Sequence, residues 1–320
     1  MGYSVVYWNR ATEDVYDVIR GQMPEGWRLV TLQGDTKAEW HAQICDVDFM
    51  LVADWAVTAE DLAAAPKLRM IQHQGVGHER IDKRALKARG VPLALCPAGT
   101  TIGVAEHTLL LILAVYKRLV VADTKMRIGT WLQWGLRSTS FELCGKTLGL
   151  VGFGRIGQAV AKRAHAFDAK ILYHDTFIPT PPGEARAWGV DSVGLDDLLR
   201  RSDIVSMHVP TNDETRKFMN TERFAQMKRS AVFINTSRGA VVDEPALIRA
   251  LQTQVIAAAG LDVFEREPIE KDNPLLGMDN VVLTPHISAG TVDALTEKMR
   301  SVFGNLQRCL KGEPIHDRVV

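Results

Sequence analysis

Arg238, Glu267 and His286 are the residues whose types and placement could do chemistry together. They stand in INTSRGAVVDE, GLDVFEREP and VVLTPHISAG, each just past a short apolar run that reads as a β-strand. Ligands of open parallel sheets bind outside the carboxyl ends of strands, so three such residues after successive strands form a working set. A guanidinium can grip a carboxylate with two parallel hydrogen bonds and polarise a neighbouring carbonyl, a task for which lysine lacks the planar fork. An imidazole titrates near neutrality, so it can give a proton to a ketone oxygen and take it back from an alcohol. A carboxylate hydrogen-bonded to that imidazole favours the protonated form, and each unit of such a shift corresponds to about 1.4 kcal/mol. Taken singly, each residue has a plainer explanation: a surface ion pair, a solvated turn acid, a capped loop histidine. Their joint placement is what points to carbonyl chemistry.

A dinucleotide site for that chemistry is written in Leu148 to Asp175, LGLVGFGRIGQAVAKRAHAFDAKILYHD, which reads as strand, glycine turn, helix and strand. Gly152 permits a tight turn, Gly154 lets backbone approach a pyrophosphate, and Gly157 lets the helix pack closely on its strand. The helix opening at Arg155 and Ile156 presents unpaired N–H groups and a positive dipole end to phosphates. Asp175 follows about twenty residues later, where a carboxylate can accept the ribose hydroxyls of NAD and repel the extra phosphate of NADP. NAD is therefore the expected cofactor. The alternative for Asp175 is that it starts a turn.

Around these segments the chain alternates strands and helices. Val5 to Trp8, Leu29 to Leu32, Phe49 to Ala53, Met70 to Gln72 and Leu93 to Leu95 are predicted strands. Thr58 is a predicted N-cap, and Gly90 a predicted C-cap for a helix over Asp82 to Arg89. After the glycine turn, Asp203 to Val209, Ala231 to Asn235, Ile256 to Leu261 and Val281 to Leu283 continue the pattern, with a helix start at Asp243 and Pro245. Such alternation implies α/β architecture with parallel sheets covered on both faces. Val104 to Leu119 is apolar nearly all round and predicts a buried helix. Arg127 to Lys146 lacks periodicity and carries Trp131 and Trp134, which reads as an arm making an oligomer contact. Thr291 to Leu310 places Val292, Leu295, Met299, Val302, Phe303, Leu306 and Leu310 on one face, ended by Gly312. That amphipathic helix is expected to return to the first domain. The predicted division is 1–99 with 287–320 as one domain and 100–286 as the nucleotide-binding domain, with the site in the cleft between them.

At 320 residues the chain is long enough for two ordinary domains, and its 38 basic and 38 acidic residues cancel. That balance gives no electrostatic reason to expect a nucleic acid or an anionic membrane as partner. Cys45, Cys96, Cys144 and Cys309 are scattered and read as reduced core thiols, and no His, Cys or acidic cluster has metal-ligand spacing. The opening MGYSVVYWNR reads as a first strand rather than a leader, and the longest apolar run, Leu109 to Val115, is too short to span a bilayer. A cytoplasmic location is the expectation.

Read together, VAEHTLLLILA at 104–114, GFGRIG at 152–157, HVPTNDET at 208–215, NTSRGAVVDE at 235–244, LDVFEREP at 261–268 and TPHIS at 284–288 resemble the D-isomer-specific 2-hydroxyacid dehydrogenase family. The resemblance spans roughly the last two thirds of the chain. It implies a Rossmann NAD-binding domain inserted into a flavodoxin-like substrate domain, both doubly wound parallel sheets, and Arg238, Glu267 and His286 as the catalytic trio. It implies that Asp262 orients the nicotinamide amide and that His208, Val209, Pro210, Thr215 and Thr236 line the cofactor. It implies that the Val76-Gly77 backbone holds the substrate carboxylate, and that a homodimer forms through the 104–145 region.

Departures bear on substrate. The family's usual Gly-x-Asp appears as Gly77-His78-Glu79, and Ser288 replaces a glycine common after Pro-His-Ile. Phosphoglycerate-type members carry arginines in the third-strand loop, where this chain has Val52-Ala53-Asp54-Trp55. With an acid there and Trp55 as a substrate contact, an unphosphorylated 2-keto acid is expected. Trp134 sits in an arm that, in the glyoxylate and hydroxypyruvate reductases it resembles, reaches the neighbouring subunit's cleft. The expected activity is hydride transfer between NADH and a small 2-keto acid to give the D-2-hydroxy acid. Alternatives are a phosphoglycerate-type dehydrogenase and an NAD-sensing corepressor on the same fold. A formate dehydrogenase would carry Gln where Glu267 stands.

Overall fold

The computed structural model describes residues 2–320. The chain forms two compact units, one built from the residues through Thr100 together with Thr291–Val320, the other from Thr101–Gly290. The first unit begins with β1 (Ser4–Trp8), α1 (Glu13–Gln22), β2 (Arg28–Thr31), α2 (Lys37–Ile44), β3 (Phe49–Val52), α3 (Ala59–Ala64), β4 (Met70–His73), α4 (Lys83–Arg89) and β5 (Leu93–Ala94). The second contains α5 (Thr100–Tyr116), α6 (Leu119–Arg127), β6 (Thr147–Val151), α7 (Arg155–His165), β7 (Lys170–His174), β8 (Asp191–Ser192), α8 (Leu195–Arg201), β9 (Ile204–Met207), α9 (Thr221–Gln226), β10 (Val232–Asn235), α10 (Glu244–Gln252), β11 (Ala258–Leu261) and β12 (Val281–Leu283). The first unit is completed by α11 (Val292–Lys311), which packs on α1 and β4.

Every strand pair is parallel, in the orders β2-β1-β3-β4-β5 and β12-β11-β10-β9-β6-β7-β8. Both are doubly wound orders. The winding shows in the side chains, because successive residues of a strand face opposite sides of its sheet. In β1, Val6 and Trp8 enter one core while Val5 and Tyr7 enter the other. In β10, Phe233 enters one core while Val232 and Ile234 enter the other. Strands buried on both faces read as continuous apolar runs, which is why the sequence shows them so clearly.

Local signals set the helix ends. Thr58 and Asp61 form a capping box at α3, Asp82 accepts from Arg84 N and Ala85 N at α4, and Thr291 accepts from Ala294 N at α11. Gly90 and Gly312 close α4 and α11 in the left-handed conformation, with φ of 66° and 68°.

The fold departs from the sequence reading in five places. The predicted helix over Val104 to Leu119 starts earlier and ends at Tyr116, since Arg118 takes a φ of 53° and restarts the chain as α6. Helix α5 is also not buried all round: Ile102 and Leu110 are about half exposed. The edge strand β8 is two exposed residues and carries no apolar signal. Val292, placed on the buried face of α11, is exposed, whereas Asn305 is buried. Cys45 and Cys144 are exposed rather than core thiols.

Candidate active site

In the second unit the strand order reverses between β6 and β9, and the two loops that leave those strands pack together. Gly152 follows β6 with a φ of 98°, and a Cβ on it would lie 2.7 Å from the His208 carbonyl oxygen. Only glycine meets both demands. A Cβ on Gly157 would lie 2.4 Å from the Gly152 oxygen, so α7 sits tightly on the turn. A Cβ on Gly154 would meet nothing within 4 Å, and no side chain caps the helix that it opens. The N–H groups of Arg155, Ile156 and Gly157 make no hydrogen bond within the described residues and lie at a positive helix end, an arrangement that fits a pyrophosphate.

Asp175 at the end of β7 accepts from Phe153 N at 2.7 Å through Oδ2, and from Phe177 N and Ile178 N at 2.8 and 3.1 Å through Oδ1. It therefore does start a turn, and it also ties that turn to the glycine loop. A carboxylate has roughly four acceptor positions, so these three bonds leave room for a ribose hydroxyl. Past β9, His208 Nε2 lies 2.9 Å from Ser206 Oγ, and burial pushes the imidazole down to about 4, which keeps it neutral. Val209 is half-buried and Pro210 exposed. Thr215 Oγ1 donates to the Pro210 oxygen at 2.6 Å and accepts from Asn212 N at 2.8 Å, which shapes that loop.

The next three strands carry the candidate trio. Asn235 closes β10 and holds the Arg238 loop by donating to Arg238 O at 3.0 Å and accepting from the Ser237 hydroxyl at 2.8 Å. A Cβ on Gly239 would lie 1.7 Å from Phe264 O, so this loop is pressed against the loop after β11. That second loop leads to Glu267, whose Oε1 accepts from Phe264 N at 3.0 Å. His286, in the loop after β12, brings Nδ1 to 2.8 Å from Glu267 Oε2. Arg238 is exposed and makes its own bond to Ser237 O at 2.8 Å, meeting the other two through charge rather than contact.

These environments set the protonation states. The Glu267 hydrogen bond raises the His286 imidazole above its ordinary range, and the Glu267 and Asp262 charges add to this while burial and Arg238 oppose it. Burial disfavours the Glu267 carboxylate. The His286 and Phe264 hydrogen bonds and the charges of His286 and Arg238 outweigh that and hold it below the usual carboxylate range. Both shifts favour a protonated imidazole against an ionised acid, with Nδ1–H committed to Glu267 and Nε2 left to face a reactant.

Asp262 is fully buried, and the structure gives its carboxylate work inside the protein. Oδ1 accepts from Thr284 Oγ1 at 2.6 Å and Ile287 N at 2.9 Å, and Oδ2 accepts from Ser288 N at 2.9 Å. The Asp262 carbonyl accepts from His286 N at 2.8 Å. His286 itself has a φ of 54°, a left-handed conformation that costs a β-carbon residue about 1–3 kcal/mol. Ser288 fits the loop through its backbone N–H and is buried. Sequence reasoning passed over two residues of α5: His107, whose Nε2 lies 2.9 Å from Thr284 Oγ1, and Thr108, whose Oγ1 lies 2.9 Å from Thr236 Oγ1. The signal was there, as a Glu-His-Thr step in a mostly apolar helix.

In the first unit, Val76 and Gly77 belong to the loop after β4, with Val76 half exposed. Gly75 N donates to His73 Nδ1 at 2.9 Å, and His78 Nδ1 lies 3.0 Å from Val76 O, so the loop is held by its own histidines. The Trp55 ring, half-buried in the loop after β3, is tilted on Trp40 with centroids 4.6 Å apart and edge-on to Trp8.

Residues 109–288 match the family described as D-isomer specific 2-hydroxyacid dehydrogenase, NAD binding domain. A glyoxylate reductase of Thermofilum pendens is 46% identical over 266 residues, covering 80% of this chain and 76% of that protein. The chain belongs to the D-isomer specific 2-hydroxyacid dehydrogenase family. Within this family, the D-3-phosphoglycerate dehydrogenase of Mycobacterium tuberculosis is 38% identical over 90% of this chain, which spans 54% of that longer protein. The apo structure of D-lactate dehydrogenase from Escherichia coli superposes with a TM-score of 0.89 at 27% identity over the whole of both chains. The chain is thus a dehydrogenase-family enzyme with an NAD(P)-binding domain. Among the described residues no helix is long and apolar enough to cross a membrane, and no group of three or more His, Cys, Asp or Glu could hold a metal ion.

Proposed function

We propose that this enzyme reduces a small unphosphorylated 2-keto acid, such as glyoxylate, to the D-2-hydroxy acid with NADH. The observation that carries the reading is the 2.8 Å bond between His286 Nδ1 and Glu267 Oε2, on a loop neighbouring that of Arg238 at the carboxyl ends of β10, β11 and β12. Arg238 grips the substrate carboxylate and polarises the keto oxygen. His286 Nε2 gives that oxygen its proton, and Glu267 stabilises the charged imidazole beforehand. Proton transfer of this kind contributes roughly a factor of 10² to 10⁴. When bound on the glycine loop and the residues after β9, the dinucleotide supplies the hydride. Asp175 favours NADH, because a carboxylate repels a ribose phosphate. Asp54 in the loop after β3 weighs against a phosphorylated substrate, and the relatives named glyoxylate reductase support a short one.

The enzyme works as a homodimer in this reading. Ile102, Leu110, Val120, Met126, Ile128 and Trp131 leave apolar surface along α5, α6 and the arm, with Ile128 and Trp131 about 70% exposed. Exposed apolar side chains in such number along one stretch of chain favour a protein contact.

The test is NADH and NADPH oxidation with glyoxylate, hydroxypyruvate, pyruvate and phosphohydroxypyruvate. Turnover is expected with the first three and NADH. His286→Gln should lower kcat by at least about 100-fold while NADH affinity, read by fluorescence titration, stays within about twofold. Retained turnover would reject His286 as the acid, and preference for the phosphorylated acid would reject the substrate assignment.

A further inference from the structure

We infer that His107 is a positioning residue for the proton-transferring loop, acting from α5 through Thr284 and Asp262. The inference rests on the assignment of His286 as the acid. Hydrogen positions follow from donors and acceptors alone. The Asp262 carboxylate is fully buried and takes protons only, so the Thr284 hydroxyl 2.6 Å away must donate to it. With that proton spent, Thr284 Oγ1 can only accept from His107 Nε2 at 2.9 Å. The chain of bonds therefore has a fixed direction, from imidazole N–H to hydroxyl to carboxylate. His107 Nε2 also stands 3.5 Å from Asp262 Oδ1, so its proton edge faces the same carboxylate.

That carboxylate shapes the loop. Its other bonds, from Ile287 N and Ser288 N, together with the bond from His286 N to the Asp262 carbonyl, grip the three residues that set the direction of the His286 side chain. His286 is held at a φ of 54°, which L residues adopt only where the surroundings impose it. If the Thr284 hydroxyl or Asp262 Oδ1 turned to another partner, the grip would loosen and the imidazole would move relative to Glu267 and Arg238. Helix α5 is a firm base for this. Leu111 and Val115 lie over Gly260 of β11, where a Cβ would come within 3.0 Å of the Leu111 Cβ, and Thr108 on the same turn bonds Thr236 in the Arg238 loop at 2.9 Å. One helix turn thus braces the loops of both the arginine and the histidine.

The prediction is a loss in turnover without a loss in binding. His107→Leu keeps the bulk and removes the donor. Its kcat should fall by about 100-fold, the size of effect a displacement of about 1 Å produces, with KM and NADH affinity within about threefold. His107→Gln, whose amide nitrogen can reach the same place, should restore kcat to within about fivefold of the parent, which a role in packing alone would not give. Thr284→Val interrupts the same chain of bonds at a residue of equal size, and it tests the inference if His107→Leu does not fold. His107→Leu or Thr284→Val with kcat within about threefold of the parent would overturn it, as would a Gln variant no better than Leu. His286→Gln, assayed alongside, separates the two claims: if it keeps turnover, the assignment of the acid fails, whereas its collapse beside an active His107→Leu sinks only the positioning role.

Discussion

At the scale of single residues, the balance around His286 decides the pH behaviour. The Glu267 bond raises its pKa, against burial and the Arg238 charge. In the proposed reaction, reduction needs the imidazolium, so kcat/KM should hold to higher pH than an ordinary histidine allows and fall as pH rises past the raised pKa. Oxidation of the hydroxy acid needs the neutral ring and should rise over the same range. Glu267→Gln removes the largest raising influence and leaves only the Asp262 charge against burial and Arg238, so both limbs should move to lower pH, read from kcat/KM in each direction. An unchanged profile would mean that another group titrates. The trio was legible because each residue sits in a distinctive short motif past an apolar strand. The employment of Asp262 was not, because three of its partners are backbone or hydroxyl groups about 22–26 positions away, brought close only by the return of the chain from β11 to β12. The left-handed backbone of His286 also leaves no trace in composition.

At the scale of elements, what could be read from sequence was whatever a few adjacent residues determine. The cap at Thr58 and the stops at Gly90 and Gly312 depend on local bonds, and they appear where the residue types require. Helix α6 went unread since it buries none of its residues: without a covered face there is no apolar period to detect. Asn305 was missed for a related reason, as a polar residue inside an apolar stripe. It donates to Gln72 Oε1 and His316 O and accepts from His316 N, all at 3.0 Å, pinning α11 to β4 and to the segment that follows the helix. Asn305→Leu would leave those buried groups unpaired, and the protein should lose about 2 kcal/mol or more in urea unfolding. A neutral outcome would show that water replaces the amide.

At the scale of the whole molecule, the two-sheet architecture was legible from alternation alone, while assembly has to be tested in solution. If the apolar surface along α5, α6 and the arm is an interface between copies, sedimentation equilibrium should give twice the chain mass. Ile128→Asp should raise the dissociation constant roughly tenfold or more, which corresponds to about 1.4 kcal/mol. A monomeric parent protein would refute the dimer.

The return of α11 to the first unit has a consequence for synthesis. Met299, Val302, Phe303 and Leu306 fill the same core as Val5, Tyr7 and Phe49, so the core begun by the strands before residue 100 stays open on one side until α11 has been made. Residues 101–290 form an unbroken stretch and can close on their own before then. Domains generally fold in order of emergence; here the interrupted unit should close only after the stretch inserted into it, with apolar surface on its strands uncovered until residues 291–320 have been added.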